Sequence, residues 1–239
     1  MDRDKALKYD RKRKNRKRAT IISGICSLGI AIFVIIAFSL MSVDRFTITT
    51  NNEEELCLTL DENYEKQTTK LVAPPLLKAT DTQYSDIPKN IDEGLGSKNE
   101  DHYFAYSFYL GGISKGKSSI NYNLAMSLNR YSNSLEEAIR VMIIRNSDNP
   151  MIYSKPLENG GGKPIYTGTT HEEVSKVDTG KTTIPFRNNK YIIVEAYNIK
   201  PGEFDKYTIV IWIDGWESVN EMKGGIFSAD IKFSTNSIN

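Results

Sequence analysis

From Ala19 to Val43 the chain runs for 25 residues without a charged, Pro, Asn or Gln side chain. A helix needs only about 20 apolar residues to cross the hydrocarbon of a bilayer, so the stretch predicts a transmembrane anchor. Thirteen of its residues are Leu, Ile, Val or Phe. At roughly −0.3 to −0.6 kcal/mol for each near the membrane centre, insertion is favoured by several kcal/mol with no charge opposing it.

Charge sets the expected orientation. Residues 1–18 hold ten basic and three acidic side chains, and Arg11, Lys12, Arg13, Lys14, Arg16, Lys17 and Arg18 crowd the membrane boundary. Positive charge stays in the cytoplasm. The remainder, residues 44–239, keeps 21 of the chain's 31 basic and 27 of its 30 acidic side chains, so the formal net charge of +1 conceals a polarised molecule. Three segments are expected: a cytoplasmic basic tail (1–18), a signal anchor (19–43) and an extracellular domain (44–239), the whole being a single-pass protein of a plasma membrane.

A secretory signal peptide competes with the anchor, but its apolar region is usually about 7–15 residues with a small-x-small site after it. Here Ala37-Phe38-Ser39 lies inside the run, so an uncleaved anchor is expected. The basic cluster also matches nucleic-acid patches. No aromatic residue interleaves it, and next to a span the nearest negative charge is an anionic lipid headgroup, worth about 1 kcal/mol per basic residue. The seven basic residues are therefore assigned to lipid contact and topology, with no nucleic-acid partner.

Of the two cysteines, Cys26 falls within the anchor and Cys57 outside it, so the exterior domain has no internal disulfide available. It must be held by its core. Alternating patterns predict short strands at Phe46–Thr49, Leu56–Leu60, Tyr103–Leu110, Tyr122–Asn129, Tyr191–Tyr197, Tyr207–Ile213 and Phe227–Phe233. In the second of these Leu56, Leu58 and Leu60 share one face and Cys57 the polar one. In the third, Phe104, Tyr106, Phe108 and Leu110 face inward, with Tyr103 and Tyr109 opposite. Ser134 and Glu137 have capping-box spacing, predicting one helical turn before a buried strand at 138–144. Met151–Ser154 and Pro164–Thr167 flank Asn159-Gly160 and predict a hairpin. Residues 61–101 form a long polar segment with apolar islands at Leu71-Val72 and Leu76-Leu77, a place for a binding surface. These signals, with almost no helix beyond the anchor, predict an all-β fold, an antiparallel β-sandwich.

Chemistry is sparse in the linear sequence. Asp178-Thr179-Gly180 matches the aspartic-protease triplet, but one copy cannot make the required carboxylate pair. His102 and His171 are far apart, and His171-Glu172-Glu173 lacks the second His of a zinc-protease helix. Asp214, Glu217 and Glu221 lie between two strands and can be imagined around calcium, yet without the spacing of a known oxygen-ligand loop. Trp212 and Trp216 flank that turn, Trp212 pointing either to a second core or to a partner. No catalytic, cofactor-binding or metal-ligating residue is assigned.

The segments HYFAYSFYL, SLEEAIRVMII, IYSKP, PGEFDKYTIVIWIDGWE and KGGIFSADIKFS resemble an uncharacterised set of membrane-anchored surface proteins of low-GC Gram-positive bacteria. Through the last strand pair, acidic turn and Gly-Gly they also resemble the TasA/camelysin group. That second resemblance implies a jelly-roll-like sandwich, in some members a matrix fibre built by strand exchange, and in camelysin a surface metallopeptidase. Gly215-Trp216-Glu217-Ser218 stands where the group often has Asp-Pro-Asp/Glu-Cys. The expectation is a surface β-sandwich serving as a structural or interaction module. The alternatives are a TasA-like fibre subunit exchanging Phe46–Thr50 and, behind it, a camelysin-like peptidase; the partners expected are membrane lipid through residues 19–43, other surface proteins, or copies of the chain itself.

Overall fold

The computed structural model describes residues 46–165 and 182–235. The anchor, the basic residues from Arg11 to Arg18, His171 and Asp178-Thr179-Gly180 lie outside the described residues. Among the described residues no helix is long and apolar enough to cross a membrane.

The chain is mostly strand. In order these are β1 (Phe46–Thr50), β2 (Leu56–Thr59), β3 (Lys70–Ala73), β4 (Gly96–Ser97), β5 (Tyr103–Gly112), β6 (Ile120–Tyr131), β7 (Ile139–Arg145), β8 (Met151–Ser154), β9 (Ile184–Pro185), β10 (Tyr191–Ile199), β11 (Phe204–Ile213) and β12 (Phe227–Ser234). They form two packed sheets. The first has the order β10-β6-β12-β1-β3, the second β2-β5-β11-β7-β8-β9 with β4 also beside β5.

The first sheet is one-sided. Tyr122, Leu124 and Met126 of β6 and Ala229, Ile231 and Phe233 of β12 enter the core, while Asn121, Asn129 and Lys232 are exposed. That is the period of two expected when one face meets water. The second sheet is buried on both faces. Phe104, Tyr106, Phe108 and Leu110 of β5, Val141 and Ile143 of β7, and Tyr207, Ile209 and Ile211 of β11 fill the space between the sheets. Their alternates Tyr103, Ala105, Met142, Ile144, Val210 and Trp212 form a second core with Ile87 and Ile91 from the long 61–101 segment. The part of the segment after β3 thus covers the second sheet as a lid, while Lys70–Ala73, expected to be loop, joins the first sheet beside β1, and Trp212 belongs to the outer core.

Several expectations need correction. The sheets are mixed, not wholly antiparallel: β1 runs parallel to β12, Ile48 opposite Ile231, and β8 parallel to β9. Among the described residues the hairpin across Asn159-Gly160 does not form as a strand pair; Tyr166 and Thr167 of its second arm lie outside them. Gly160 has the positive φ of a turn, but β8 pairs with β7 and β9, and Pro164 bridges to Thr182. Local turn chemistry is satisfied there while long-range pairing chooses other partners. Leu135–Glu137 is a single 3-10 turn as expected, yet Ser134 is left-handed and caps nothing through its side chain. β2 ends at Thr59, so Leu60 escapes the alternation and is exposed. Cys57 is buried, not on a polar face. A Cβ at Gly111 would meet its sulfur and the Phe204 ring, and Tyr64 stacks on Phe204 with centroids 3.9 Å apart.

The alternation on β12 gives a direct test. Phe233, fully buried against Phe108, Tyr122 and Tyr207, should cost about 3–5 kcal/mol on replacement by Ala, whereas Lys232→Ala on the solvent face should stay within about 0.5 kcal/mol. Urea unfolding of the two variants reads both.

Candidate functional site

At the end of the sandwich where β6 begins, a polar hub interrupts the apolar core. Asp205, near the start of β11, accepts from Tyr122 at 2.7 Å, from Arg145 Nη2 at 2.8 Å and Nε at 3.1 Å, and from Asn146 at 2.6 Å. Tyr207 shares a 2.7 Å hydroxyl contact with Tyr122. Arg145 also lies over the Tyr197 ring, 4.5 Å from its centroid, and Tyr153 donates to Glu195 at 2.7 Å. The pattern follows from strand register. Tyr122 opposite Tyr197 and Tyr207 opposite Arg145 bring these side chains to one level of the core.

Burial raises all four phenols. Tyr197 is pushed up to about 12, and Tyr122, Tyr153 and Tyr207 further, with the Asp205 and Glu195 carboxylates adding to the effect. They remain neutral donors at physiological pH. Tyr122, bound to Asp205, and Tyr207, bound to Tyr122, fix the core by desolvated hydroxyl bonds.

An open hollow of about 510 Å3 adjoins this corner, where Asn121, Asn123, Asn198 and Thr235 surround Tyr122 and Tyr197. Amides and hydroxyls line it. The hollow can hydrogen-bond a polar ligand.

The acidic turn lies at the opposite end. Arg140 of β7, 1% exposed, places Nε 3.3 Å from Asp214 and Nη2 3.8 Å from Glu217. Lys163, 5% exposed, meets Glu217 at 3.0 Å and the Glu137 carbonyl at 2.9 Å. Its approach depends on Gly162, where a Cβ would lie 1.7 Å from the Thr183 carbonyl oxygen. Lys155 joins Glu136 and Glu137 at the rim. Burial pushes the Asp214 carboxyl up while Arg140 pulls it down. Two of the three carboxylates considered for calcium, Asp214 and Glu217, thus face protein cations, and Glu221 sits exposed on the turn Asn220–Met222. Among the described residues no group of three or more His, Cys, Asp or Glu is arranged to hold a metal.

Two further polar pairs lie outside these clusters. His102 contacts the Thr80 hydroxyl at 2.6 Å on the surface. Lys98 donates to the Ile91 carbonyl at 2.6 Å and to Ser107 at 3.2 Å, and burial draws its amine down. A serine beside a lysine of lowered pKa has the makings of a nucleophile. Ser107 is fully buried and bound to Thr208 at 2.7 Å, so no substrate reaches it, and the pair serves the lid. Sequence reasoning missed Arg140, Lys163, Asp205 and Arg145 as partners, because a buried charge in a strand or loop carries no local signal of the distant group that pairs it.

Comparison with known proteins finds no matching family model, no matching curated protein and no matching solved structure.

Asp205→Ala should destabilise the domain by about 3 kcal/mol, the low end for a broken buried pair because Arg145 keeps some solvent; urea unfolding checks it. Raised phenol pKa values mean that above pH 10 the unfolded chain binds fewer protons than the native one, so stability falls as pH rises. Absorbance titration should show Tyr122, Tyr153 and Tyr207 ionising only together with unfolding.

Proposed function

We propose that the protein is a single-pass, membrane-anchored surface protein whose β-domain is a structural or interaction module outside the cell, without catalysis. The single observation that carries this reading is the sequence polarity across residues 19–43, basic before and acidic after. The character of the folded part supports it. The buried charges at the two ends answer one another, the hydroxyl beside Lys98 is sealed, and the open hollow is lined by amides. The chain's passage back and forth between sheets supports a jelly-roll-like relationship, although the parallel β1–β12 pair departs from an all-antiparallel pattern. Protease added to intact cells should remove the domain and spare an epitope placed before Arg3; the reverse pattern would overturn the orientation.

One observation favours a second reading, assembly by strand exchange. β1 lies between β12 and β3, with Phe46 and Ile48 in the core, and is joined to β2 by a short turn at Asn51-Asn52. A short terminal strand of this kind fits the same slot in a neighbouring copy. Light scattering on residues 44–239 across a concentration series should show mass growing with concentration if exchange occurs. A mass fixed at one chain rules it out.

A further inference from the structure

We infer that the rim of the β-domain from which β1 departs docks onto the bilayer surface, inserting apolar and aromatic side chains among the lipid headgroups. The inference rests on the proposed anchor and adds a second membrane contact made by the folded domain itself.

Strand register defines the rim. Phe46 at the start of β1 pairs with Ala73 at the end of β3, and Tyr131 at the end of β6 pairs with Phe227 at the start of β12. In the second sheet Tyr103 pairs with Trp212, and Arg140 with Ser154. The Asp214 amide donates to the Ala138 carbonyl, and the Ser132 amide to the Ile226 carbonyl, which ties the loops of both sheets together at this end.

Of the eight large hydrophobic side chains exposed among the described residues, five lie in these rim segments: Leu77 (77%), Tyr131 and Val219 (52% each), Leu157 (41%) and Ile226 (39%). The half-buried Trp216 stands beside them in the turn. Singly such residues need no explanation, but gathering them at one end of a domain marks a contact surface. Trp and Tyr on that surface suit the headgroup layer, where an amphipathic ring keeps one edge wet.

The occupant follows from chain length. Between Val43, the last residue of the apolar run, and Phe46, the first of β1, stand only Asp44 and Arg45. Three residue steps reach at most about 11 Å. The polar layer on each side of the hydrocarbon is itself about 5–8 Å thick. A tether that short keeps the β1 rim within reach of the headgroups. Lys78 and Lys223 are exposed there alongside Glu158 and Glu221, so the mixed charge supplies little net attraction, and the apolar groups carry the contact.

The chain contains two tryptophans, and Trp212 is sealed in the outer core at 2% exposure. This makes Trp216 a reporter. The full-length protein is reconstituted into phosphatidylglycerol/phosphatidylethanolamine vesicles with and without acyl-brominated lipid. Brominated lipid should quench tryptophan emission, Trp216→Phe should abolish the quenched component, and the exposed-site double variant V219D/I226D should lower the quenching at least about twofold. Carbonate-resistant flotation, measured in parallel, reports the anchor. Flotation without quenching, or quenching unchanged in either variant, overturns docking and leaves the anchor standing. Loss of flotation overturns the anchor and the docking with it.

Discussion

The fold depends on the second sheet being apolar on both faces. β5, β7 and β11 bury side chains on both sides, mostly apolar apart from Ser107, Thr208 and Arg140 on the outer face, so neither face is left to water. At about 25 cal/mol per Å2 of apolar surface removed from water, leaving Met142, Val210 and Trp212 uncovered would forfeit several kcal/mol. The first sheet covers one face. The other takes the long segment after β3, which is why some forty residues of weak pattern remain against the domain and why Lys98 is drawn over the Ser107–Thr208 pair.

Two charged clusters sit at opposite ends of this apolar slab and hold it in register. The Asp205 hub joins β6, β7 and β11 through Tyr122, Arg145 and Tyr207, spanning both sheets. At the other end Arg140 reaches from β7 to Asp214 and Glu217 in the turn beyond β11, and Lys163 ties in the loop after β8. Buried pairs contribute little net stability against apolar replacements of similar shape. Their effect here is positional, since each charged group accepts few arrangements other than the one that pairs it.

Much of the strand pattern was legible because burial imposes a period of two, clearest in β6 and β12 with one wet face. The inward set Phe104, Tyr106, Phe108 and Leu110 and the placement of Tyr103 opposite could be read directly. Pairing could not. The parallel alignment of β1 with β12 joins residues more than 180 positions apart, and β8 prefers β7 and β9 to the segment beyond its own Asn-Gly turn. Cys57 looked polar because its neighbours alternate, while Phe204, which crowds Gly111 together with its sulfur, comes from elsewhere in the chain. The same limit hid the charge clusters. Arg140 reads as an interruption in an apolar run until the turn carrying Asp214 is folded beside it, and the rim's exposed apolar groups are scattered from Leu77 to Ile226 in sequence.

The parallel pairing of β1 with β12 also has a mechanical consequence. Tension arriving through Arg45 enters β1 along its own axis and draws it toward the rim, whereas the chain leaves β12 at the opposite end. The two strands are then dragged past one another, and the hydrogen bonds of the β1–β12 and β1–β3 ladders share the load at once. An antiparallel terminal pair pulled from one end would open bond by bond like a zipper. If the proposed anchor holds the domain through β1, the domain resists pulling through its topology, with no disulfide across the load-bearing strands.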